Sequence, residues 1–461
     1  MFSASADHSP YQKPNYRLYV LALLTLAYVF NFVDRQIISI LQEPIKLEFG
    51  LSDTQLGVLN GFVFAIFYVG FGIPIARWAD SGKRRNIIAW AIALWSLMTA
   101  LCGVAQNYVQ LLAARIGVGV GEAGCSPPAH SMISDIFPQK FRATAMATYS
   151  LGINVGILVG LLMGGWLNEL YGWRVALWAV AAPGLVVALL LKYTVAEPAR
   201  GAADINNMTA ADLDYRAETE ATGEAADASV SRTTPSTEAI PITQVIQHFW
   251  RSRTVKWLAL GAGLSSFVGY GLANWMPSFL VRSHGMGTGE IGTWLALIAG
   301  VGGALGTFAG GFLADRLSQK NVRWSLWIPM GILLLCVPLL SMTLLMDTKL
   351  NAMLIYIIPG SIMTGYMGPV IAVTHNLADN RMRAMGSALL FLVINIIGLG
   401  LGPVIIGMLS DWLGNTMGLE GLRYAMVSAV IVSGLLAALC FYLASRSYPE
   451  ELARMASIKY K

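Results

Sequence analysis

The chain has little charge and few cysteines, and each shortage excludes a class of protein. Only 12% of its 461 residues are Asp, Glu, Lys or Arg, whereas soluble domains carry about 25%. This low charge content excludes a soluble enzyme and a disordered scaffold, because both need many more charged residues in contact with water. The formal net charge of +5 is too small and too scattered for a nucleic-acid-binding surface. Four single cysteines in apolar runs predict neither a disulfide framework nor a metal site.

Apolar residues make up 56% of the chain, and the mean hydropathy is +0.59. A bilayer core about 30 Å thick is crossed by about 20 helical residues, and windows of that length predict twelve spans. Because an open chain satisfies its backbone in lipid only as a helix, the predicted fold is an all-α integral membrane protein. The spans are expected to begin near Leu18, Gln55, Asn86, Tyr108, Ala143, Trp173, Trp257, Ile291, Trp324, Ala352, Ala384 and Leu422.

Basic residues are distributed unevenly over the predicted loops. With both termini placed on one side of the membrane, that side carries 24 of the 31 Lys and Arg residues, and the opposite loops carry five. Since cytoplasmic loops are enriched in Lys and Arg, both termini are expected in the cytoplasm. We expect the membrane to be a bacterial inner membrane.

A change in composition divides the chain. Residues 199–239 are rich in Ala, Thr, Asp and Glu and read as a solvated linker. One apolar helical face then follows, formed by Ile242, Val245, Ile246, Phe249 and Trp250, which predicts a helix lying in the membrane interface. The predicted domains are a six-helix bundle over 1–198, a linker with this helix over 199–250, and a second bundle over 251–461.

The two predicted bundles repeat each other. At an offset of 241 residues, Pro128 matches Pro369, Arg142 matches Arg383 and Asn154 matches Asn395. At an offset of 235, Gly57 matches Gly292 and Asp80 matches Asp315. Parallel repeats of six spans are typical of a secondary transporter whose site lies between the halves.

Glycines recur every four residues on two spans. The two series are Gly152, Gly156, Gly160 and Gly164 on the fifth span, and Gly302, Gly306 and Gly310 on the eighth. Such stripes allow another helix to approach closely. Two interpretations remain open: an interface along which the halves move, or static packing within one bundle.

The loop after the second span resembles the G-x-x-x-D-R-x-G-R-R motif of the major facilitator superfamily. It runs from Ala76 to Arg85, with Ser81 in place of the arginine, and the second-half copy runs from Gly311 to Arg316. The resemblance implies twelve helices in two pseudo-symmetric bundles. It also implies a cytoplasmic gate that holds the outward-open state, formed by Asp80, Arg84, Asp315 and Arg316.

Within that superfamily the chain resembles the Spinster lineage. The similar residues are Asn31-Phe32-Val33-Asp34-Arg35 on the first span and Arg115-x-x-x-Gly119-x-Gly121-Glu122-Ala123 on the fourth. This lineage is associated with proton-linked transport of amphiphilic lipids such as lysophospholipids and sphingosine 1-phosphate. Bacterial relatives need not share that cargo.

Four ionisable residues lie inside predicted spans: Asp34, Arg35, Arg115 and Glu122. A charge at the bilayer centre costs at least about 2.5–3.5 kcal/mol, so such groups pair, face a cavity or act in function. We assign proton coupling first to Glu122 and second to Asp34, because carboxyl groups in a low-dielectric cavity exchange protons near neutral pH. Arg35 and Arg115 present planar donor groups suited to a phosphate or carboxylate. A permanent Asp34–Arg115 ion pair is the structural alternative.

Other polar residues complete the predicted site. Asn31, Asn154 and Asn395 are assigned to substrate binding, although the repeat-related pair of asparagines could instead join helices. The second half has Met363 where the first half has Glu122. A cavity that is polar on one side and apolar on the other fits an amphiphile better than a sugar.

The sequence therefore predicts a proton-coupled carrier that works by alternating access on an amphiphilic anion such as a lysolipid or sphingoid phosphate. A carrier of small hydrophilic acids or a drug exporter is the alternative, and a membrane enzyme or a sensor is a distant one. No nucleophile elbow, phosphate loop or metal-spaced cluster is present in the sequence. We expect no bound cofactor beyond coupling protons, no nucleic-acid partner, and a monomer in the lipid bilayer.

Overall fold

The protein is described from a computed structural model that covers residues 10–205, 242–379 and 382–459. Long helices dominate these ranges, as the apolar windows predict. We label the twelve long helices α1 (Pro14–Ile40), α2 (Asp53–Ser81), α3 (Arg84–Cys102), α4 (108–136), α5 (Gln139–Tyr171), α6 (Trp173–Thr194), α7 (Arg253–His284), α8 (Thr288–Ser318), α9 (Trp324–Leu345), α10 (Lys349–Asn376), α11 (383–417) and α12 (Gly421–Lys459).

Each predicted span coincides with one of these helices, so the all-α membrane fold is confirmed. Nine stretches of the described ranges are long and apolar enough to cross a membrane, and one of them, Met385–Met455, contains parts of both α11 and α12. Helices α4 and α7 are not among the nine stretches. The reason is that α4 is interrupted, while α7 is rich in Gly and Ser.

Two helices are interrupted at repeat-related positions. α4 consists of Tyr108–Glu122 and Ser126–Ile136, and α10 changes to a 3₁₀ turn over Met363–Tyr366. Prolines follow both breaks, at Pro128 in α4 and Pro369 in α10. Proline lacks the N–H group that would continue the helical hydrogen bonds, so the repeat places an irregular backbone at the same depth in both halves.

Three other helices contain a π-helical segment: Val58–Phe62 in α2, Ala296–Gly302 in α8 and Asn395–Leu401 in α11. Such segments are frequent at functional sites. Those of α2 and α11 contact each other across the two halves, where a Cβ atom at Gly61 would lie 2.9 Å from the carbonyl oxygens of Leu399 and Gly400. Glycine is required here because the backbones touch.

The glycine stripes pack within each bundle. A Cβ atom at Gly156 would lie 2.5 Å from Cβ of Phe32 on α1, and one at Gly310 would lie 2.7 Å from Cα of Gly365 on α10. These contacts favour static packing within one bundle over an interface along which the halves move. The halves approach closely at other glycines, where Gly165 of α5 meets Gly292 of α8 with 3.1 Å between the added Cβ and Cα.

The short helix Ile242–Arg251 precedes α7 as predicted. Phe249 is buried and Trp250 is exposed, so the helix packs on the second half by one side and presents the other outward. Most of the predicted linker lies outside the described residues. The domain limits 1–198, 199–250 and 251–461 stay a prediction.

Polar contacts join the two halves at the end of the molecule opposite the termini, which we call the closed end. Arg282 of α7 donates to Asp53 at the start of α2 at 2.7 Å and to Glu43 at 2.6 Å. Lys46 donates to the same Asp53 carboxylate at 2.5 Å, and Ser410 donates to it at 2.6 Å. The side chains of Arg282 and Asp53 are only 6% and 4% exposed, so this ion pair is shielded from water and holds the halves together.

Candidate functional site

The first half contains a buried ion pair between two of its long helices, α1 and α4. Arg35 of α1 donates through Nε to Oε2 of Glu122 of α4 at 2.5 Å. The Glu122 side chain is fully buried, while that of Arg35 is 15% exposed. The arginine is therefore the member of the pair that a ligand can reach, and the acid lies behind it.

Aromatic rings surround the Arg35 guanidinium group. Its Cζ atom lies 5.0 Å from the ring centroid of Phe32, 5.2 Å from that of Phe64 and 4.5 Å from that of Tyr68. The Tyr68 side chain also interacts electrostatically with Arg35. Rings at these distances attract a cation through their quadrupole, so α2 supplies an aromatic wall that keeps the charge of Arg35 in place.

The second arginine shares one of these rings. Cζ of Arg115 lies 5.4 Å from the Phe64 centroid, and the Arg115 residue is only 3% exposed. Its charge attracts both Glu122 and Asp34. Arg115 therefore stabilises the two buried acids from a position that is shielded from solvent.

Asp34 binds a hydroxyl group. Thr99 of α3 donates through Oγ1 to Oδ2 of Asp34 at 2.5 Å, and the residue is 2% exposed. Its other oxygen, Oδ1, has no hydrogen-bond partner in the described part of the chain. The alternative of a permanent Asp34–Arg115 ion pair is not observed among the described residues, where Arg35 and Glu122 form the pair instead.

The break in α4 positions the acid. Glu122 is the last residue of the segment Tyr108–Glu122, so its side chain leaves the helix where regular packing ends. A small apolar cleft of about 190 Å³ adjoins this break, lined by Tyr68, Gly72, Ala123 and Pro127 among others. Apolar surface thus lies next to the ion pair.

The second half contributes hydroxyl and apolar groups at the matching depth. Tyr270 of α7 lies within electrostatic range of Arg35 and Tyr68, and Tyr366 of α10 is buried within electrostatic range of Tyr270. Met363 stands at the position that repeats Glu122, as the sequence indicates. The facing walls of the two halves therefore differ in charge.

The structure places the three asparagines that were predicted to bind substrate in different regions. Asn31 is buried beside Glu122 and belongs to the charged cluster. Asn154 lies on α5 where that helix meets Gly300 of α8, and Asn395 is the first residue of the π-helical segment of α11. Both of the latter are partly exposed, and their role in binding stays a prediction.

The predicted gate residues occupy two different environments. Asp80, Asp315 and Arg316 are exposed at the end of the molecule that carries the termini. Arg84 is fully buried there, with ion pairs to Asp135 and Glu197 of the same half. In this conformation Arg84 therefore anchors the first bundle internally, and the gate role of the four residues stays a prediction.

Several residues of the site escaped the sequence analysis. Phe64, Tyr68 and Thr99 are ordinary apolar-span residues, and nothing in their spacing distinguishes them from packing residues. Arg282 and the carboxylates of the closed end lie near the ends of the spans. Charged residues are common there, so the sequence does not distinguish these from other loop charges. The repeat could have singled out Asp411, because it lies one residue beyond the position that matches Glu169 of the first half at an offset of 241.

Comparison with known proteins identifies the family. The Major Facilitator Superfamily model matches residues 24–397. The chain belongs to the major facilitator superfamily. It is also 32% identical over 453 residues to an MFS-type efflux pump of Mycolicibacterium smegmatis, covering 98% of this chain and 97% of the relative. A cis,cis-muconate transport protein of Acinetobacter baylyi is 30% identical over 307 residues, or 64% of this chain and 65% of that protein.

Among solved superfamily structures, the chain is similar to a bacterial homologue of the human lysosomal transporter Spinster. In the inward-facing, unoccupied conformation of that protein the TM-score is 0.83 at 33% identity, covering 95% of this chain and 99% of the homologue. The resemblance to the Spinster lineage is confirmed. Superfamily relatives and structural neighbours are transporters, so the protein is a membrane transporter and not an enzyme.

Proposed function

We propose that the protein is a proton-coupled secondary transporter that carries an amphiphilic organic anion by alternating access. The observation that carries this proposal is the Arg35–Glu122 ion pair, in which the arginine is 15% exposed and the acid is sealed. An anion entering the cavity meets Arg35 first. It competes with Glu122 for the same guanidinium group.

Proton coupling follows from that competition. While Glu122 is ionised, it accepts the Arg35 Nε hydrogen bond at 2.5 Å. The guanidinium group of Arg35 is then less available to bind a substrate anion. Protonation converts the carboxylate to a neutral acid, weakens its attraction for the arginine, and leaves the planar donor group available to a phosphate or carboxylate. Asp34, repelled by Glu122 and bound to Thr99, is the second acid that protonation would affect.

The amphiphilic character of the substrate rests on the walls of the cavity. Phe32, Phe64 and Tyr68 surround the arginine, an apolar cleft adjoins it, and the second half has the apolar Met363 at the position that repeats Glu122. These groups bind an acyl chain or ring more readily than a polyhydroxylated sugar. A lysolipid or a sphingoid phosphate has the required anionic head and apolar tail.

A small organic acid is the second candidate, and one observation favours it. The relative from Acinetobacter baylyi is named for cis,cis-muconate, a dicarboxylate, and a compact anion also satisfies Arg35. We further propose that the protein is a monomer in a bacterial plasma membrane, with both termini in the cytoplasm on the basis of the Lys and Arg distribution.

Transport into proteoliposomes under an imposed pH gradient tests these proposals. A panel of lysophospholipids and sphingoid phosphates is compared with a panel of sugar acids and dicarboxylates. Uptake of the amphiphiles alone supports the leading proposal, and uptake of the hydrophilic acids alone replaces it with the second. If the uptake rate of either class of substrate does not change with the pH gradient, proton coupling is contradicted.

The coupling residue is tested by Glu122→Gln, which keeps the shape of the side chain and removes its charge. We expect exchange of substrate between the two sides to persist while acceleration by a pH gradient is lost. Glu48→Gln is the matched control, because Glu48 is a partly exposed partner of Arg174 far from the site. Full pH dependence in the Glu122→Gln variant would exclude Glu122 as the coupling acid.

A further inference from the structure

A groove on the outer surface of the second half lies where α7 begins. It has a volume of about 460 Å³ and is lined by Arg253, Lys256, Trp257 and Leu260. The short helix Ile242–Arg251 ends two residues before Arg253. The groove is thus at the end of the molecule that carries the termini, at the level where α7 enters the membrane.

The preceding helix is held firmly beside this groove. Phe249 is 7% exposed and packs against Gly386 of α11, where an added Cβ would overlap its ring. The neighbouring Trp250 is 73% exposed, and Nζ of Lys256 lies 5.9 Å from its ring centroid. An indole ring in this position is typical of the membrane interface, and it extends the wall of the groove.

The upper part of the groove is cationic. Arg251, Arg253 and Lys256 are all exposed, and in the described part of the chain neither Arg253 nor Lys256 takes part in an ion pair within 4.0 Å. The carboxylate of Glu451 borders the groove, but it accepts hydrogen bonds from the Ser252 hydroxyl at 2.5 Å and from the Arg253 backbone N–H at 2.9 Å rather than from the Arg253 guanidinium group. The charge of the groove therefore remains available to an external anion.

The lower part of the groove is apolar. Trp257 and Leu260 are each 39% exposed, and they follow Arg253 at four and seven residues on the same helical face. At 1.5 Å of rise per residue, the groove changes from cationic to apolar over roughly 10 Å. That order matches a phosphate headgroup followed by the start of an acyl chain.

We propose that this groove is a binding site for an anionic phospholipid of the leaflet on the termini side, of the phosphatidylglycerol class. The headgroup phosphate accepts hydrogen bonds from Arg253 and Lys256, the indole rings of Trp250 and Trp257 lie at the glycerol level, and the acyl chain runs along Leu260. The site faces the surrounding bilayer and is separate from the transport site at Arg35. The bound lipid would join the interfacial helix to α7.

Lipid titrations of the purified full-length protein, followed by native mass spectrometry, test this site. The probes are phosphatidylglycerol and phosphatidylcholine with identical acyl chains. We compare the wild type with the double variant Arg253→Gln/Lys256→Gln. The matched control is Lys320→Gln/Arg323→Gln, which removes two exposed charges from the α8–α9 loop on the same side.

We expect the wild type to prefer phosphatidylglycerol. The groove variant should lose at least about tenfold in affinity for it, since each basic residue near an anionic lipid surface contributes about a fivefold factor. The control variant should stay within about twofold of the wild type. Equal losses in the two double variants, or equal binding of both lipids by the wild type, would overturn the site.

A third variant separates the lipid from a free anion. Leu260→Asn leaves both cations in place. We expect it to lower the affinity for phosphatidylglycerol, while Arg253 and Lys256 still contact the phosphate. Displacement of the lipid from the wild type by millimolar inorganic phosphate would instead indicate a plain anion site and overturn the proposal. Binding is measured without transport, so these results do not depend on the proposed transport function.

Discussion

Asp411 near the end of α11 accepts hydrogen bonds from the backbone N–H groups of Asp53 and Thr54 at 2.9 and 2.8 Å, and so caps the first turn of α2 in the other half. Glu169 of α5 does the same for α8, accepting from the Gly289 N–H at 2.6 Å. The two contacts are related by the internal repeat. At the closed end, each half therefore places a carboxylate on a helix N-terminus of the other half.

From the contacts of Asp411 with the start of α2, we predict the effect of Asp411→Ala. Removing a side-chain cap and its favourable interaction with the helix dipole costs about 1 kcal/mol, and here the cost falls on the closed end alone. We expect the population that is open at this end to rise about fivefold. Distances between spin labels at Leu47 and Leu419, both exposed on that side, report the change. Glu169→Ala should act in the same direction, and an effect confined to one variant would contradict the symmetric closure.

The Arg282 ion pairs predict a larger effect. Arg282→Gln leaves Lys46 as the remaining cation beside Glu43 and Asp53 in the described part of the chain, and breaking a buried pair by removing one partner costs about 3–5 kcal/mol. We expect the same label pair to report a predominantly open end. Arg174→Gln is the control, because its ion pair with Glu48 lies within the first half and its side chain is 31% exposed. An unchanged distance in Arg282→Gln would show that these contacts do not hold the end closed.

Two glycine substitutions distinguish a contact between the two halves from packing within one half. Gly165→Ala would force a methyl group onto the Thr288 carbonyl of α8 in the other half, and we expect it to favour opening of the closed end. Gly156→Ala meets Phe32 at 2.5 Å within the first half. We expect that change to lower the melting temperature without changing the label distances. The same response from both variants would contradict the assignment of the glycine stripe to internal packing.

Arg84 is predicted to act as an internal anchor. Its guanidinium group pairs with Asp135 and Glu197 and also donates to the Pro198 carbonyl at 2.8 Å. Arg84→Gln should therefore destabilise the first bundle by about 3–5 kcal/mol, measured as a loss of thermal stability in detergent. The exposed neighbour Lys83 supplies the control, Lys83→Gln. Normal stability with an altered balance of conformations would instead support the gate role predicted from the family motif.

The sequence by itself determined the helices, the repeat and the residues that carry charge into the membrane. Apolar windows located every long helix, because backbone satisfaction in lipid leaves no other structure. Charge within a span costs free energy, so Asp34, Arg35, Arg115 and Glu122 were recognisable without coordinates. Pro128 and Pro369 were recognisable as a repeat-related pair, while the helix interruptions beside them came from the structure.

The tertiary structure decided which groups meet. Consecutive residues on a helix point about 100° apart, so Asp34 and Arg35 face different neighbours, and helix packing alone selects Glu122 for Arg35 and Thr99 for Asp34. A glycine stripe shows that something approaches closely without showing which helix does. The caps at the closed end join residues more than 350 positions apart, from Asp53 to Asp411. Such pairings depend on how the two bundles are arranged in space, which local sequence does not encode.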